Sequence, residues 1–174
     1  YMMLDNVAKL ALNRISKYKV IQRELVKENK LGIQNKPVLY IGAGPSLDQN
    51  IDWIFKNKAK FIIVSMAAAC KKLIAHDIIP DIVGTLDPQY KVLNDIHFTN
   101  EIIEKLKNSI ILASINTDQR ILDKFNQELL FLFEVIFTIN HKSKVENGYS
   151  IGEIIGTILI NFGIYKILII YLFY

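Results

Sequence analysis

Residues 38–50 read VLYIGAGPSLDQN, an apolar stretch followed by a glycine-containing loop and then by a helix-compatible segment. This order is typical of the phosphate-binding turns of α/β proteins, in which a strand leads through glycines into a helix. Gly42 and Gly44 permit a tight turn and let a ligand approach the backbone. Ser46 and Gln49 also fit a helix capping box, so Ser46 could simply cap the helix. Because that alternative leaves the two glycines unexplained, we predict a nucleotide or phosphate site at this loop.

The rest of the chain alternates short apolar stretches with helical segments. Continuous apolar strands separated by helices indicate a parallel sheet that is covered on both faces. We therefore predict an α/β fold with a Rossmann-like, mostly parallel sheet and helices on both faces. The predicted strands are residues 38–41, 61–65, 81–86, 110–114, 129–138 and 165–172, and the predicted helices are residues 48–57, 67–75, 101–107, 118–125 and 151–162.

The positive charge of the chain is confined to its N-terminal segment. The 174 residues include 21 bases and 17 acids, and residues 1–36 hold eight of these bases but three of the acids. Apolar residues recur there at helical spacing, which predicts a basic amphipathic helix over residues 4–30. We thus expect two parts, an N-terminal helix within residues 1–36 and a Rossmann-like domain over residues 37–174. The near-neutral charge of the second part argues against a nucleic-acid partner.

Cysteine usage and hydropathy exclude several protein classes. One cysteine rules out a disulfide framework, and Cys70 follows three alanines on a predicted helix, so we expect it to be buried. The apolar run over residues 154–174 is interrupted by Asn161 and Gly163, and a capping box at Ser150 and Glu153 precedes it. We therefore predict a buried helix and strand there, with no membrane span, and we expect a cytoplasmic protein.

Two common nucleotide motifs are absent from the glycine loop. The dinucleotide fingerprint needs a third glycine where this chain has Leu47, and an acidic residue at the end of the second strand. That strand ends in Val64, Ser65 and Met66, without an acid. A P-loop would need Gly-Lys-Ser or Gly-Lys-Thr, which does not follow the loop. Classical NAD chemistry and P-loop chemistry are therefore not expected.

Four motifs resemble a known family. VLYIGAGPSLDQN, then Ser-Met-Ala from residue 65, IPDIVGTLDPQ over residues 79–89 and SIGE over residues 150–153 occur in this order. Together they resemble the central domain of the motility accessory factor family, the Maf flagellin glycosyltransferases, over about residues 37–170. The small bacterial sialyltransferases are similar at the glycine loop, and an archaeal pterin pyrophosphokinase group shares the broader domain.

The resemblance implies a transferase that uses a CMP-activated sugar. The implied reaction moves a nonulosonic acid of the pseudaminic or legionaminic type from its CMP donor to Ser or Thr hydroxyls of flagellin, as flagellar assembly and motility require. The donor is a substrate, so we expect no tightly bound cofactor. No Asp-x-Asp pair is present, and we expect no obligatory metal. Two alternatives stay open, namely a non-catalytic nucleotide-binding or interaction fragment and a pterin pyrophosphokinase-like enzyme that uses ATP and magnesium.

The resemblance also implies which residues would bind the donor, and each has a simpler structural alternative. Asp87 precedes Pro88, which favours an extended backbone at a strand end, but an Asp there commonly caps the next turn. Asn116 lies in ordinary capping sequence, and Ser150 could be a plain helix N-cap. The implied donor-binding residues are Gly42, Gly44, Pro45, Ser46, Ser65, Asp87, Asn116 and Ser150.

No catalytic residue is assigned firmly by the sequence. Asp87 and His141 are weak candidates, since both follow predicted strands, although His141 could be a solvated loop histidine. His97 lies in no motif. After the last helix the Maf family has a Gly-x-Asp element, whereas this chain reads IIYLFY over residues 169–174. We therefore expect the domain to be incomplete at its C-terminus, to lack its catalytic base, and to self-associate through this apolar end.

Overall fold

The computed structural model of the chain describes residues 9–10, 13–14, 16–20, 36–133 and 167–170. Its strands are β1 Lys19–Val20, β2 Val38–Ile41, β3 Ile62–Met66, β4 Ile82–Thr85, β5 Ile110–Ser114, β6 Leu130–Phe133 and β7 Ile167–Ile170. Its α-helices are α1 Pro45–Asn57, α2 Ala67–Ala75, α3 Tyr90–Val92, α4 Asn100–Lys105 and α5 Gln119–Leu122. A 3₁₀ turn covers Lys58–Lys60 and a π-helical segment covers Leu93–His97.

The described strands form one parallel sheet in the order β1-β6-β5-β4-β3-β2-β7. Every neighbouring pair of these strands is parallel. From β2 to β6 each strand lies beside the next one in the chain, and β7 lies on the other side of β2. This arrangement confirms the predicted α/β, Rossmann-like parallel sheet.

The described helices pack against one face of the sheet. Registered partners in parallel strands share a face, so Ile41, Ser65 and Val83 lie on the same side. Helix residues from α1 and α2, among them Leu47 and Leu73, are buried in one cluster with Ile41. Because right-handed crossovers that move in one direction stay on one face, the connections from β2 to β6 all belong to this layer.

The opposite face of the sheet is buried as well. Val38 and Tyr40 of β2, Val64 of β3 and Leu112 of β5 alternate with the residues of the first face, and each is at most 3% exposed. Burying a large aliphatic side chain stabilises the fold by about 1.5–3 kcal/mol. The uninterrupted apolar character of these strands therefore reflects burial on both sides, as the sequence predicted.

The predicted N-terminal helix requires a correction. The described residues up to and including Lys17 are helical. Lys19 and Val20, however, form strand β1, which pairs with Phe131 and Leu132 of β6. The prediction of a helix over residues 4–30 is therefore wrong at Lys19 and Val20. Pairing with β6 gives hydrogen-bond partners to backbone groups that would otherwise line an open sheet edge. The helical spacing of apolar residues is a local pattern and cannot reveal this long-range pairing.

The other predicted elements differ mainly at their ends. The strands at 38–41 and 110–114 and the helix at 67–75 are confirmed to the residue. The helix predicted to begin at residue 48 begins at Pro45 instead, because proline is favourable at the first helical position. The predicted strand 165–172 contains β7, and β6 lies within the predicted strand 129–138. The predicted helix 151–162 lies outside the described residues.

Among the residues that the structure describes, none of the helices combines the length and the apolar character that crossing a bilayer needs.

Candidate functional site

The carboxyl edge of the sheet contains the point at which the strand order changes direction. The chain moves from β2 toward β6 in one direction, whereas β7 lies on the opposite side of β2. In open α/β sheets ligands bind beyond the carboxyl ends of the strands at such a switch point. Gly42 and Gly44 follow β2 directly, so the predicted phosphate loop occupies this position.

A cavity of about 310 Å³ lies between this loop and helix α2. Gly44 is the N-cap of α1 and Met66 is the N-cap of α2, and neither position has a side-chain capping bond. The residues that line the cavity come from the glycine loop, the first turns of both helices and one later residue of α2, Lys72: Ala43, Gly44, Pro45, Leu47, Asp48, Ala68, Ala69 and Lys72. Each helix N-terminus carries a partial positive charge of roughly half an elementary charge. Two such ends at one cavity favour an anionic ligand.

Gly44 leaves room for that ligand because it has no side chain. Its backbone is extended, with φ of −128° and ψ of 179°, a conformation that any residue adopts. A glycine is therefore not required here for backbone geometry. Its value at the cavity is the close approach that the missing Cβ allows.

Ser46 does not cap helix α1. The N-cap is Gly44, and Ser46 is the second helical residue after Pro45. The Ser46 hydroxyl oxygen is buried and has no hydrogen-bond partner among the described residues. The capping alternative raised by the sequence is therefore wrong. An unpartnered buried hydroxyl in a native fold calls for an explanation. Ser46 itself is not among the residues that line the cavity, although its neighbours Pro45 and Leu47 are.

Lys72 adds a positive charge to the same cavity. It lies on α2, and its Nζ atom donates a hydrogen bond to Oδ1 of Asp48 on α1. Both side chains are substantially exposed, so the pair contributes about 0–1 kcal/mol. Lys72 can therefore turn to an incoming anion with little loss of stability. Sequence reasoning missed Lys72, since nothing in its local sequence shows that it faces the glycine loop.

A second cavity of about 140 Å³ lies next to the first. Its walls are the start of α2 and the end of β4 with the loop that follows: Met66, Ala67, Ala68, Gly84, Thr85, Leu86, Asp87 and His97. Ala68 lines both cavities, so they meet at the first turn of α2.

Asp87 serves the turn and also lines the second cavity. Its Oδ1 atom accepts a hydrogen bond of 2.8 Å from the backbone N–H of Gln89, as the turn-capping alternative predicted. A carboxylate has about four lone-pair sites on its two oxygens. The turn bond therefore leaves acceptor capacity for a ligand in the cavity.

His97 is a cavity residue that the sequence motifs did not reveal. It ends the π-helical segment Leu93–His97, in which the N–H of Phe98 donates to the carbonyl oxygen of Leu93 at 2.6 Å. Phe98 is fully buried and packs edge-on against Phe125 with ring centroids 5.0 Å apart. Burial lowers the pKa of His97, and the nearby Asp87 carboxylate opposes that shift. π-helical turns occur often at functional sites, and this one was not visible in the spacing of the sequence.

Comparison with known proteins identifies the family. The sequence model described as "6-hydroxymethylpterin diphosphokinase MptE-like" matches residues 3–170. The chain belongs to the MptE-like family. No curated protein matches this MptE-like chain significantly.

The fold of the MptE-like chain is similar to that of a Maf glycosyltransferase from Magnetospirillum magneticum AMB-1, with a TM-score of 0.59 and 19% sequence identity. The match covers 87% of this chain and 24% of that chain, so this chain spans about a quarter of the length of that glycosyltransferase. The shared fold confirms the resemblance to the Maf family that the motifs predicted.

Ser65 of the MptE-like chain does not reach either cavity. Its side chain is fully buried, and its Oγ atom lies 3.1 Å from the carbonyl oxygen of Met66 and 3.3 Å from Sγ of Cys70. Cys70 is also fully buried, which confirms the prediction, and burial raises the pKa of its thiol to about 12. Both residues therefore contribute to the contact between β3 and α2.

The remaining predicted residues are spread more widely. Asn116 follows β5, and its backbone N–H donates to Oγ of Ser114 at 3.2 Å, but it lines neither of the two cavities described above. Ser150 and His141 lie outside the described residues. Among the described residues, no group of three or more His, Cys, Asp or Glu side chains has an arrangement that could hold a metal ion.

Arg14, a basic residue of the N-terminal segment, lies at the carboxyl edge of the sheet. Arg14 is 6% exposed, and its Nη1 atom donates a hydrogen bond to the carbonyl oxygen of Ile115, just beyond β5. Burial lowers the pKa of Arg14. This base of the N-terminal segment is therefore part of the folded structure rather than of a solvated face.

Proposed function

We propose that this MptE-like chain is a nucleotide-binding transferase domain that holds the phosphate of its donor between the glycine loop and the start of α2. One observation carries the proposal: the first turns of α1 and α2, whose N-caps make no side-chain capping bond, both line a single cavity of about 310 Å³. Helix N-termini attract phosphate through their free amides and their dipoles. The Lys72 ammonium adds a charge to the cavity. The unpartnered hydroxyl of Ser46 belongs to the residue between the lining residues Pro45 and Leu47, and we propose that it turns to the ligand when the cavity is filled.

The donor that fits best is a CMP-activated nonulosonic acid of the pseudaminic or legionaminic type. Such a donor carries one phosphate, and Lys72 is the one Lys or Arg side chain among the residues that line the two cavities. The positive charge of two helix dipoles and one lysine balances the negative charge of a monophosphate more closely than that of a triphosphate. The acceptor in this proposal is a Ser or Thr hydroxyl of flagellin, modified in the cytoplasm for flagellar assembly and motility.

In this arrangement the predicted donor-binding residues take separate roles. The backbone of Gly42, Gly44 and Pro45, with the Ser46 hydroxyl, lies against the phosphate and ribose. Asp87, in the adjoining cavity, faces the part of the donor beyond the phosphate. The donor is consumed as a substrate, and no tightly bound cofactor is part of the proposal.

A second candidate function follows from the family match. The MptE-like model covers residues 3–170 and names a 6-hydroxymethylpterin diphosphokinase. In that case the chain would use ATP with magnesium and would transfer a diphosphate to a hydroxyl group. The same loop would then hold a more highly charged nucleotide.

Calorimetric titration with CMP, CDP and ATP plus magnesium separates these candidates. We expect CMP to bind most tightly and Gly44→Val to weaken that binding at least about tenfold, because the new side chain fills the approach to the cavity. The extended backbone of Gly44 accommodates valine, so the variant should fold. Ala59→Val, at an exposed site away from the cavities, is the matched control and should bind CMP normally.

Other outcomes of the titration have definite meanings. Preferred binding of ATP with magnesium would support the diphosphokinase. Failure of all three nucleotides to bind would overturn the site assignment. Flagellin transfer is then tested by measuring CMP release from the CMP-sugar with purified flagellin as acceptor.

A further inference from the structure

The two candidate reactions share one chemical requirement, and the inference below rests on the proposed nucleotide-binding function. In each reaction a hydroxyl oxygen attacks the donor and a nucleoside monophosphate leaves. The hydroxyl must lose its proton as the new bond forms, which a positioned general base promotes by about 10²- to 10⁴-fold. The sequence motifs assign no residue firmly to this role, and of the two weak candidates Asp87 and His141 the second lies outside the described residues.

The second cavity places a titratable pair beside the phosphate cavity. His97 and Asp87 line it together, and Ala68 is common to both cavities. A hydroxyl group in the second cavity would therefore lie next to a donor whose phosphate occupies the first. Asp87 is the other titratable side chain among the lining residues. The remaining lining residues, from β3, α2, β4 and the loop after β4, do not titrate: Met66, Ala67, Ala68, Gly84, Thr85 and Leu86.

We propose that His97 is the general base that accepts the proton of the attacking hydroxyl, and that Asp87 stabilises the resulting imidazolium. With a CMP-sugar, the hydroxyl oxygen bonds to the anomeric carbon while the bond from that carbon to the phosphate oxygen breaks. The electron pair of the broken bond leaves with CMP, and the proton moves to His97. With ATP, the oxygen attacks the β-phosphorus, AMP leaves with the electron pair, and the proton again moves to His97.

The surroundings of His97 suit this role. A base must be neutral before it reacts, and partial burial disfavours the charged imidazolium. Once the proton arrives, the Asp87 carboxylate stabilises the new positive charge. The buried Phe98, which follows His97 directly, anchors the π-helical turn and so limits movement of the imidazole.

The decisive experiment compares His97→Gln with His76→Gln. His76 is an exposed residue at the end of α2, so its substitution controls for the loss of a histidine. Nucleotide affinity is measured by calorimetry. Release of CMP is measured with CMP-nonulosonate as donor and flagellin as acceptor. Release of AMP is measured with ATP and magnesium, with 6-hydroxymethylpterin as acceptor. We expect His97→Gln to reduce release by about 10²- to 10⁴-fold with nucleotide affinity within about twofold, and His76→Gln to change neither.

A pH measurement separates a base from a merely structural histidine. The His97 imidazole is followed by NMR in the wild-type protein and in Asp87→Asn, with its signals assigned by their loss in His97→Gln. We expect Asp87→Asn to lower the pKa of His97 further, because the carboxylate no longer favours the charged form. Turnover in the wild type should fall as pH drops below the measured His97 pKa.

The inference and the proposed function fail in different ways. If the wild-type protein binds a nucleotide but releases no monophosphate with either acceptor, or if His97→Gln is fully active, the general-base role is overturned. If the wild-type protein binds no nucleotide, the proposed function itself is overturned.

Discussion

Lys72 on helix α2 and Asp48 on helix α1 form an ion pair across the mouth of the cavity that both helices open onto. Asp48 lies in the first turn of α1, where a negative charge favours the helix dipole. The pair thus neutralises the Lys72 ammonium next to a position suited to phosphate. An anion in the cavity would compete with Asp48 for that ammonium.

Replacing Lys72 should weaken nucleotide binding without unfolding the protein. A hydrogen bond to a charged group contributes about 1.5–3 kcal/mol, so Lys72→Met should lower affinity by roughly 10- to 100-fold. The free energy of unfolding should change by about 1 kcal/mol or less, because the ion pair is exposed. Lys71→Met, one residue earlier on the same helix, is the matched control. Equal nucleotide affinity in the two variants would show that Lys72 does not contact the nucleotide.

Replacing Ser46 should separate binding from stability. Its buried hydroxyl has no partner among the described residues, so Ser46→Ala removes no hydrogen bond from the ligand-free fold. We expect the free energy of unfolding to stay the same or to rise by up to about 1 kcal/mol, while nucleotide affinity falls. Both quantities are measured, by urea denaturation and by calorimetry.

Ser109 provides the comparison for Ser46. It is also buried, but its Oγ atom donates a hydrogen bond of 2.7 Å to the carbonyl oxygen of Pro80. Ser109→Ala should therefore destabilise the protein by about 1 kcal/mol or more and leave nucleotide affinity unchanged. A similar loss of stability in both variants would mean that Ser46 has a structural partner.

The thiol of Cys70 should be unreactive in the folded protein. Burial raises its pKa to about 12, so the nucleophilic thiolate is scarce at pH 8. Iodoacetamide should label Cys70 only after denaturation, as detected by mass spectrometry. Because the pKa of the thiol in the folded protein lies above the ordinary cysteine value of 9.0, the proton stabilises the fold, and that contribution is lost as pH rises from about 9 toward 12. Rapid labelling at pH 8 without denaturant would contradict the buried placement.

Asp118 should stabilise the start of helix α5. It is the N-cap, its Oδ1 accepts from the backbone N–H of Arg120 at 2.9 Å, and its pKa is lowered to about 2, chiefly by the Arg120 side chain. Asp118→Ala should lower the free energy of unfolding by about 0.5–2 kcal/mol. The contribution should be present above pH 3.8 and should be lost as pH falls toward 2. Denaturation curves at pH 7 and pH 2.5 measure this, and an equal effect at both values would exclude the ion pair as its source.

Local sequence patterns predicted most elements of the sheet correctly. The strand at residues 38–41 and the helix at residues 67–75 are confirmed to the residue, because apolar runs and the spacing of alanine and leucine are local signals. The glycine loop was placed correctly at the end of β2 for the same reason. Strand β1 was missed, because its formation depends on pairing with β6, more than 100 residues along the chain.

The candidate site was predictable only in part, and Ser65 and His97 show why. Ser65 ends a strand near the glycine loop, which made it a donor-binding candidate. In the folded sheet it is aligned with Ile41 and Val83 on the helix-covered face, so it packs against Cys70 instead. His97 has no sequence motif, and a π-helical turn brings it to the cavity beside Asp87.

The sequence alone determined the class of fold, the position of the glycine loop and the family resemblance, since these depend on hydrophobic periodicity and on short motifs. Tertiary structure alone decided that two helix N-termini share one cavity, that Lys72 and His97 lie beside it, and that Ser65 does not. The physical reason is that a sheet aligns residues by register and crossover direction. Those relationships join parts of the chain far apart in sequence, and no local pattern records them.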